Sequence, residues 1–106
     1  MKVHKAFGPG FPEIIYQRSL MIEFEKKCMS FEKEVERNLF YEGIYVGSRR
    51  LDLIVEGKVI VELKAASDIE KAHQSQILNY LKLFNIETGL ILNFGRPSLQ
   101  FQRFAL

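Results

Sequence analysis

Three charged residues sit inside apolar strand-like runs and could act together. Asp52 lies in Arg50-Leu51-Asp52-Leu53-Ile54-Val55, and Glu62 and Lys64 lie in Val59-Ile60-Val61-Glu62-Leu63-Lys64-Ala65. Two carboxylates and an ammonium group are what metal-assisted hydrolysis of a phosphodiester needs. The acids hold a hard divalent cation, and the lysine orients a water or stabilises charge on phosphate.

Their geometry follows from strand periodicity. Side chains alternate faces along a strand, so Leu51, Leu53 and Val55 share one face and Val59, Val61 and Leu63 share another. Burying both sets together pairs Val55 with Val59, Leu53 with Val61 and Leu51 with Leu63, across a three-residue loop Glu56-Gly57-Lys58. On the opposite face Asp52 then lies across from Glu62, and Arg50 across from Lys64. Opposed side chains stand ~5 Å apart at Cβ, so the two acids repel unless a cation lies between them. Oxygen ligands suit Mg²⁺ or Mn²⁺. The plainer alternative is a solvated sheet face with Glu62 paired to Lys64 or Arg50. Ile54 and Ile60 on that same face weigh against it, because they call for a covering helix, and unpaired acids beside an apolar layer are costly.

The elements that must position these residues read as follows. Gly8-Pro9-Gly10 is a turn, and Pro12 suits the first turn of a helix over Phe11 to about Cys28, with Glu13 near its start. A polar edge strand is expected over Phe31–Tyr41, a hairpin turn at Glu42-Gly43, and a strand from Ile44 to Val55 with an irregularity at Gly47. The third strand runs from Val59 to about Ala65. Ser67-Asp68-Ile69-Glu70 has the form of a capping box and predicts a helix from there to about Phe84. Thr88–Phe94 is almost continuously apolar, as in a strand buried on both faces, and Leu99–Phe104 is a last strand. The order α-β-β-β-α-β-β is that of an α/β fold with a mixed central sheet flanked by helices.

Composition sets outer bounds. One domain over residues 1–106 is the default at this length, and 47% hydrophobic residues can build a core without staples. A net charge of +2 permits a nucleic-acid partner without demanding one. The one cysteine, Cys28, excludes a disulfide framework and a cysteine-rich zinc site, fits a cytoplasmic setting, and is expected to be buried at the end of the first helix. Residues 1–10 have no apolar stretch of the signal-peptide kind, and no run suits a membrane helix. An exposed edge strand leaves homodimer formation open.

Asp52 followed by Glu62-Leu63-Lys64 resembles the pattern of the PD-(D/E)xK nuclease superfamily, with Leu51 in place of the proline. Gly10-Phe11-Pro12-Glu13-Ile14-Ile15-Tyr16 is similar to the signature of the small prokaryotic GxxExxY family assigned to that superfamily. Tyr41-Glu42-Gly43, His73 through Lys82 and Gly89 through Gly95 extend the likeness over nearly the whole chain. The resemblance implies a restriction-endonuclease-like α-β-β-β-α-β core and Mg²⁺- or Mn²⁺-dependent cleavage of nucleic acid, DNA foremost. It implies that Asp52, Glu62 and the carbonyl of Leu63 are metal ligands, that Lys64 assists water, and that Glu13 contributes a ligand or a contact behind one. Gln76 and Tyr80 match a Gln-x-x-x-Tyr element of some exonuclease branches. They share a helix face with His73, where substrate contacts are expected from Gln76, Tyr80, His73 and Arg50. A nuclease fold that only binds nucleic acid or a protein is the alternative.

Overall fold

A computed structural model describes residues 1–106. Helices α1 (Lys2–Phe7) and α2 (Glu13–Lys26) precede strands β1 (Phe31–Tyr41), β2 (Ile44–Val55) and β3 (Val59–Lys64). Helix α3 (Lys71–Phe84) and strands β4 (Thr88–Asn93) and β5 (Gln100–Ala105) follow. The five strands form one sheet in the order β1-β2-β3-β4-β5. β3 and β4 are parallel, with α3 as the crossover between them, and the other pairs are antiparallel. The mixed sheet flanked by helices is the expected architecture.

Each face carries its own core. Leu53, Val55, Val61 and Leu63 point toward α2, where Tyr16 and Leu20 meet them together with Leu92 and Phe94. Ile54, Ile60 and Ile91 point the other way, onto Ile77, Tyr80, Leu81 and Phe84 of α3. Full burial of each such side chain stabilises by roughly 1.5–3 kcal/mol, so these two layers fix where the strands lie.

The β2–β3 register is the one the apolar pattern predicts: Val55 faces Val59, Ile54 faces Ile60 and Leu53 faces Val61. It stops there. Leu51 does not oppose Leu63 on the α2 side. It packs with Ile54 and Ile60 against α3. The reason lies on β1, where Lys33 pairs with Leu53 and Val35 with Leu51, while Glu34 adopts a left-handed φ of 52° opposite Asp52. The ladder is interrupted at this pair of acids, and beyond it the faces are exchanged. β1 and β2 then continue as a two-stranded arm that no third strand covers. Its turn, Glu42-Gly43, has φ values of 49° and 79°, the doubly positive pattern of a tight hairpin. Its bulge falls between Leu39 and Phe40, opposite Gly47.

Two further expectations need correction, and α1 carries no sequence signal, because six residues are too few to show a period. Cys28 is exposed in the turn after α2, with φ of 56°, because the chain must reverse there. The capping box is not Ser67/Glu70. Glu70 is itself the N-cap, and His73 is its reciprocal partner. Residues 66–69 form a bent segment tied down by Asn93 and Gln100, which accept from the N–H groups of Ala66 and Ile69 at 3.0 and 3.2 Å. The helix begins only past that tether.

Candidate active site

Asp52 stands where β2 parts from β3. Beyond the Leu53–Val61 pair the β2–β3 ladder ends, and the two carboxylates accept from the next N–H groups of the facing strands. The N–H of Leu63 donates to Asp52 Oδ2 at 2.8 Å, and the N–H of Asp52 donates to Glu62 Oε1 at 3.4 Å. Each acid thus closes the end of the opposite strand. The carbonyl of Asp52 is also satisfied, by Gln17 Nε2 of α2 at 3.0 Å. Gln17 is buried, and this bond ties the helix to the point where the ladder opens.

Glu62 is only 6% exposed. Burial, and secondly the adjacent Asp52 carboxylate, push its pKa up to about 9, against the weaker pull of Lys64. The two carboxyl groups lie within hydrogen-bonding reach of one another, and burial beside Asp52 favours the neutral form of Glu62. The two acids meet as expected, but not as ladder partners: the β2–β3 pairing ends at Leu53–Val61, just before them.

Lys64 and Glu62 are on the α3 side. Lys64 Nζ donates to Gln76 Oε1 at 3.4 Å. Tyr80 lies one turn further along the helix, its hydroxyl pKa raised by burial and then by the Glu62 charge. The structure therefore brings together Asp52, Glu62, Lys64, the backbone of Leu63, Gln76 and Tyr80. Glu13 and Arg50 line a recess of about 190 Å³ with Asp52 and Gln17, on the α2 side. Arg50 is not across from Lys64 as the extended ladder implied. It pairs with Glu36 of β1, because the β2–β3 ladder ends before it. His73 sits at the start of α3, where its Nδ1 accepts from the N–H of Glu70 at 3.1 Å.

Two neutral amides were missed. Gln17 carries no signal beyond its place on the helix. Asn93 does: it is an amide within Leu-Ile-Leu-Asn-Phe, and it is wholly buried. Its Oδ1 accepts from Ala66 and Gly95, and its Nδ2 donates to Gln100. It pairs directly with Lys64 across the parallel ladder and holds the exit of β3 in place. Gly95 completes that junction. A Cβ there would lie 2.3 Å from the carbonyl oxygen of Ala66, so no larger residue fits without moving the backbone.

The chemistry of the donor set fits a divalent cation. Two touching carboxyls, one of them held toward its neutral form by burial beside the other, become a favourable pair once a cation offsets their repulsion. Beyond this pair, no group of three or more His, Cys, Asp or Glu side chains is arranged to hold a metal ion. Such a set suits Mg²⁺, which is held by one or two carboxylates with waters and substrate phosphate completing its shell.

The sequence profile of the PD-(D/E)XK nuclease superfamily matches residues 1–104. The chain belongs to that superfamily. No curated protein matches the chain. Among solved structures, the crystal structure of SSO0001 is similar, with a TM-score of 0.65 at 21% identity. The match covers 86% of this chain and 48% of that one, so the chain spans about half the length of that protein. The likeness shows the fold, and this PD-(D/E)XK domain has the expected sheet and helices around its paired acids. No helix is long and apolar enough to cross a membrane.

Proposed function

We propose that this chain is a Mg²⁺- or Mn²⁺-dependent nuclease that hydrolyses phosphodiester bonds of nucleic acid, DNA foremost. The observation that carries the proposal is the crossed pairing of Asp52 and buried Glu62, each carboxyl accepting from the backbone N–H of the other's strand, which sets two acids side by side where a cation would offset their repulsion. Asp52, Glu62 and the Leu63 carbonyl would hold the metal. The chemistry such a cation would supply there is a more acidic water and a polarised phosphoryl oxygen. Lys64 orients that water or balances charge on the phosphate, while Gln76 fixes the ammonium group. Glu13, which lines the α2-side recess together with Asp52, would assist from that side, and Tyr80 would lie along the substrate side.

Within the superfamily we place the chain in the GxxExxY group. The clamp made by Tyr16 supports this placement: its hydroxyl donates to the Gly8 carbonyl at 2.6 Å and accepts from the Phe11 N–H at 3.2 Å, so the spacing holds the loop before α2. A lone exposed thiol at Cys28 agrees with a reducing, cytoplasmic setting.

A second reading, a silent nuclease-fold module that binds nucleic acid or protein, draws on the exposed apolar tip of the arm, including Phe40, Tyr41 and Ile44. One assay separates the two. Purified protein is incubated with single- and double-stranded DNA and RNA in Mg²⁺ or Mn²⁺, beside Glu62→Ala and Lys64→Ala. The nuclease reading expects cleavage that falls at least about 10²-fold in each variant. Cleavage that survives both substitutions rejects the site, and wild-type protein that binds but never cuts favours the silent module.

A further inference from the structure

Arg37 of β1 and Arg49 of β2 are direct cross-strand partners on the arm. Both face α3. The Arg37 guanidinium lies 4.8 Å from the centre of the Phe84 ring, and Arg49 lines a groove with Ser75, Gln76, Asn79 and Tyr80 of that helix. Like charges directly opposed across a ladder repel, and neither arginine takes part in the chain's two ion pairs, Lys2–Glu23 and Arg96–Asp68. Arg49 lines the groove, with Nη1 donating to the Ser48 carbonyl at 2.8 Å, and Arg37, its cross-strand partner, lies beside the groove over Phe84. Two exposed guanidinium groups side by side without a carboxylate partner form a place for an anion, and arginine suits phosphate above all.

The opposite wall has a different character. Ser75, Gln76 and Asn79 offer neutral donors and acceptors, and Arg49 is the one charged residue among those lining the groove. Its volume of about 660 Å³ is that of a small-ligand site. A duplex shows phosphates on both flanks and hides its pairing edges. A single strand shows phosphates on one side and free bases, with both polar edges and apolar faces, on the other, which matches a cationic side at Arg49 facing a helix that offers Ser75, Gln76 and Asn79 beside apolar Ala72 and Leu83. The groove is also continuous with the paired acids: Gln76 lines it and accepts from Lys64, and Tyr80 lines it beside Glu62.

We propose that the groove between the β1–β2 arm and α3 is the track for a single nucleic-acid strand, with Arg37 and Arg49 holding its phosphates and Ser75, Gln76 and Asn79 meeting its bases. The proposal rests on the nuclease reading for its direction, since the track leads to Lys64, but it concerns binding and is tested without cleavage.

The test measures anisotropy of labelled single-stranded and duplex oligonucleotides in EDTA, across a salt series. The proteins are the full chain, Arg37→Gln/Arg49→Gln, and the equally charge-depleted control Lys5→Gln/Arg103→Gln, whose residues are exposed on α1 and β5. The arginine variant is expected to bind single strands at least about tenfold more weakly. Its log–log salt slope should be shallower by about 1.4, at ~0.7 for each phosphate that is no longer neutralised. The control should bind like wild type, and the melting temperatures of all three should agree. The proposal is overturned if the arginine variant binds as wild type, if the control weakens as much, if duplex is preferred, or if wild-type protein binds no single strand. Loss of binding in the arginine variant of a protein that never cleaves would uphold the track and reject the nuclease; normal binding in an arginine variant of an active nuclease would do the reverse.

Discussion

β1 and β2 lead two lives on either side of Asp52. From Leu53 to Val55, β2 lies between β1 and β3 and buries side chains on both faces. From Ile44 to Arg50 the same strand pairs with β1 alone, and Ile44, Tyr45 and Val46 are more than half exposed. The inner part is fixed by two cores, whereas the arm is fixed by its own hydrogen bonds and one tight turn. The paired acids fall at the boundary. There the backbone is still rigid enough to place a carboxylate, and the ladder has opened enough to admit a ligand. The molecule's long axis, 47 Å against 31 and 23 Å, is consistent with an arm reaching away from the sheet.

The contrast is broken most strongly from the inner side. Leu53 has no exposed surface and sits at the last β2–β3 pair. Leu53→Ala is expected to cost ~2–5 kcal/mol in chemical denaturation, through reduced burial and the cavity left behind. A cost under about 1 kcal/mol, well below the usual range for such a truncation, would mean that the inner register is not what holds the sheet.

Much of this inner region was legible in the sequence. Period-two alternation around Asp52 and Glu62 gave the register at Leu53–Val61 and Val55–Val59, because a slip would bury one apolar set and expose the other. The exchange of faces at Leu51 was not legible: Glu34 and Asp52 are two polar residues in polar or mixed surroundings, and no apolar period marks the interruption. The start of α3 was misplaced for a related reason. Ser67 and Glu70 satisfy the local capping pattern, and what prevents it is Gln100, distant in sequence. Asp68 is drawn there too: its carboxyl is held below the usual range first by the hydrogen bond from Gln100 and then by the N–H of Ile69. The amides Gln17 and Asn93 do their positioning without charge, so only the interruption of an apolar run by Asn93 could have drawn notice.

The next test uses pH. In the metal-free protein the folded pKa of Glu62 is about 9, against an ordinary value of 4.5. Between those values the folded state binds the extra proton, so stability is full below pH 4.5 and declines as pH rises toward 9. The melting temperature of metal-free wild type should fall by several degrees between about pH 5 and about pH 8.5. Glu62→Gln should flatten that part of the profile, and Mg²⁺ should restore wild type but not the variant. A flat wild-type profile would show that Glu62 is not buried beside Asp52 as described.

A smaller effect is expected at the boundary itself. Gln17→Met keeps the volume of a buried side chain but removes the donor to the Asp52 carbonyl. Leaving that carbonyl without its partner should cost ~1–3 kcal/mol. If Gln17 serves the site rather than the fold alone, Mn²⁺ affinity falls as well, and a titration of the folded variant reads that separately from its melting curve.

The smallest effect belongs to the arm. Phe40 and Tyr45 are cross-strand partners whose rings meet edge to face, with centroids 6.0 Å apart, yet both are largely exposed. Such a pair contributes about 0.5–1.5 kcal/mol beyond area, and it stabilises the arm rather than the sheet. Phe40→Ser/Tyr45→Ser should therefore change global unfolding by about 1 kcal/mol or less, while amide hydrogens of Asn38–Val46 exchange faster and those of Leu53–Val55 do not change. If the inner amides also lose protection, the arm and the sheet unfold as one unit, and the division at Asp52 is not an energetic one. If only the arm responds, the tip is free to be altered without moving the acids, which is what a separable substrate-contacting arm requires.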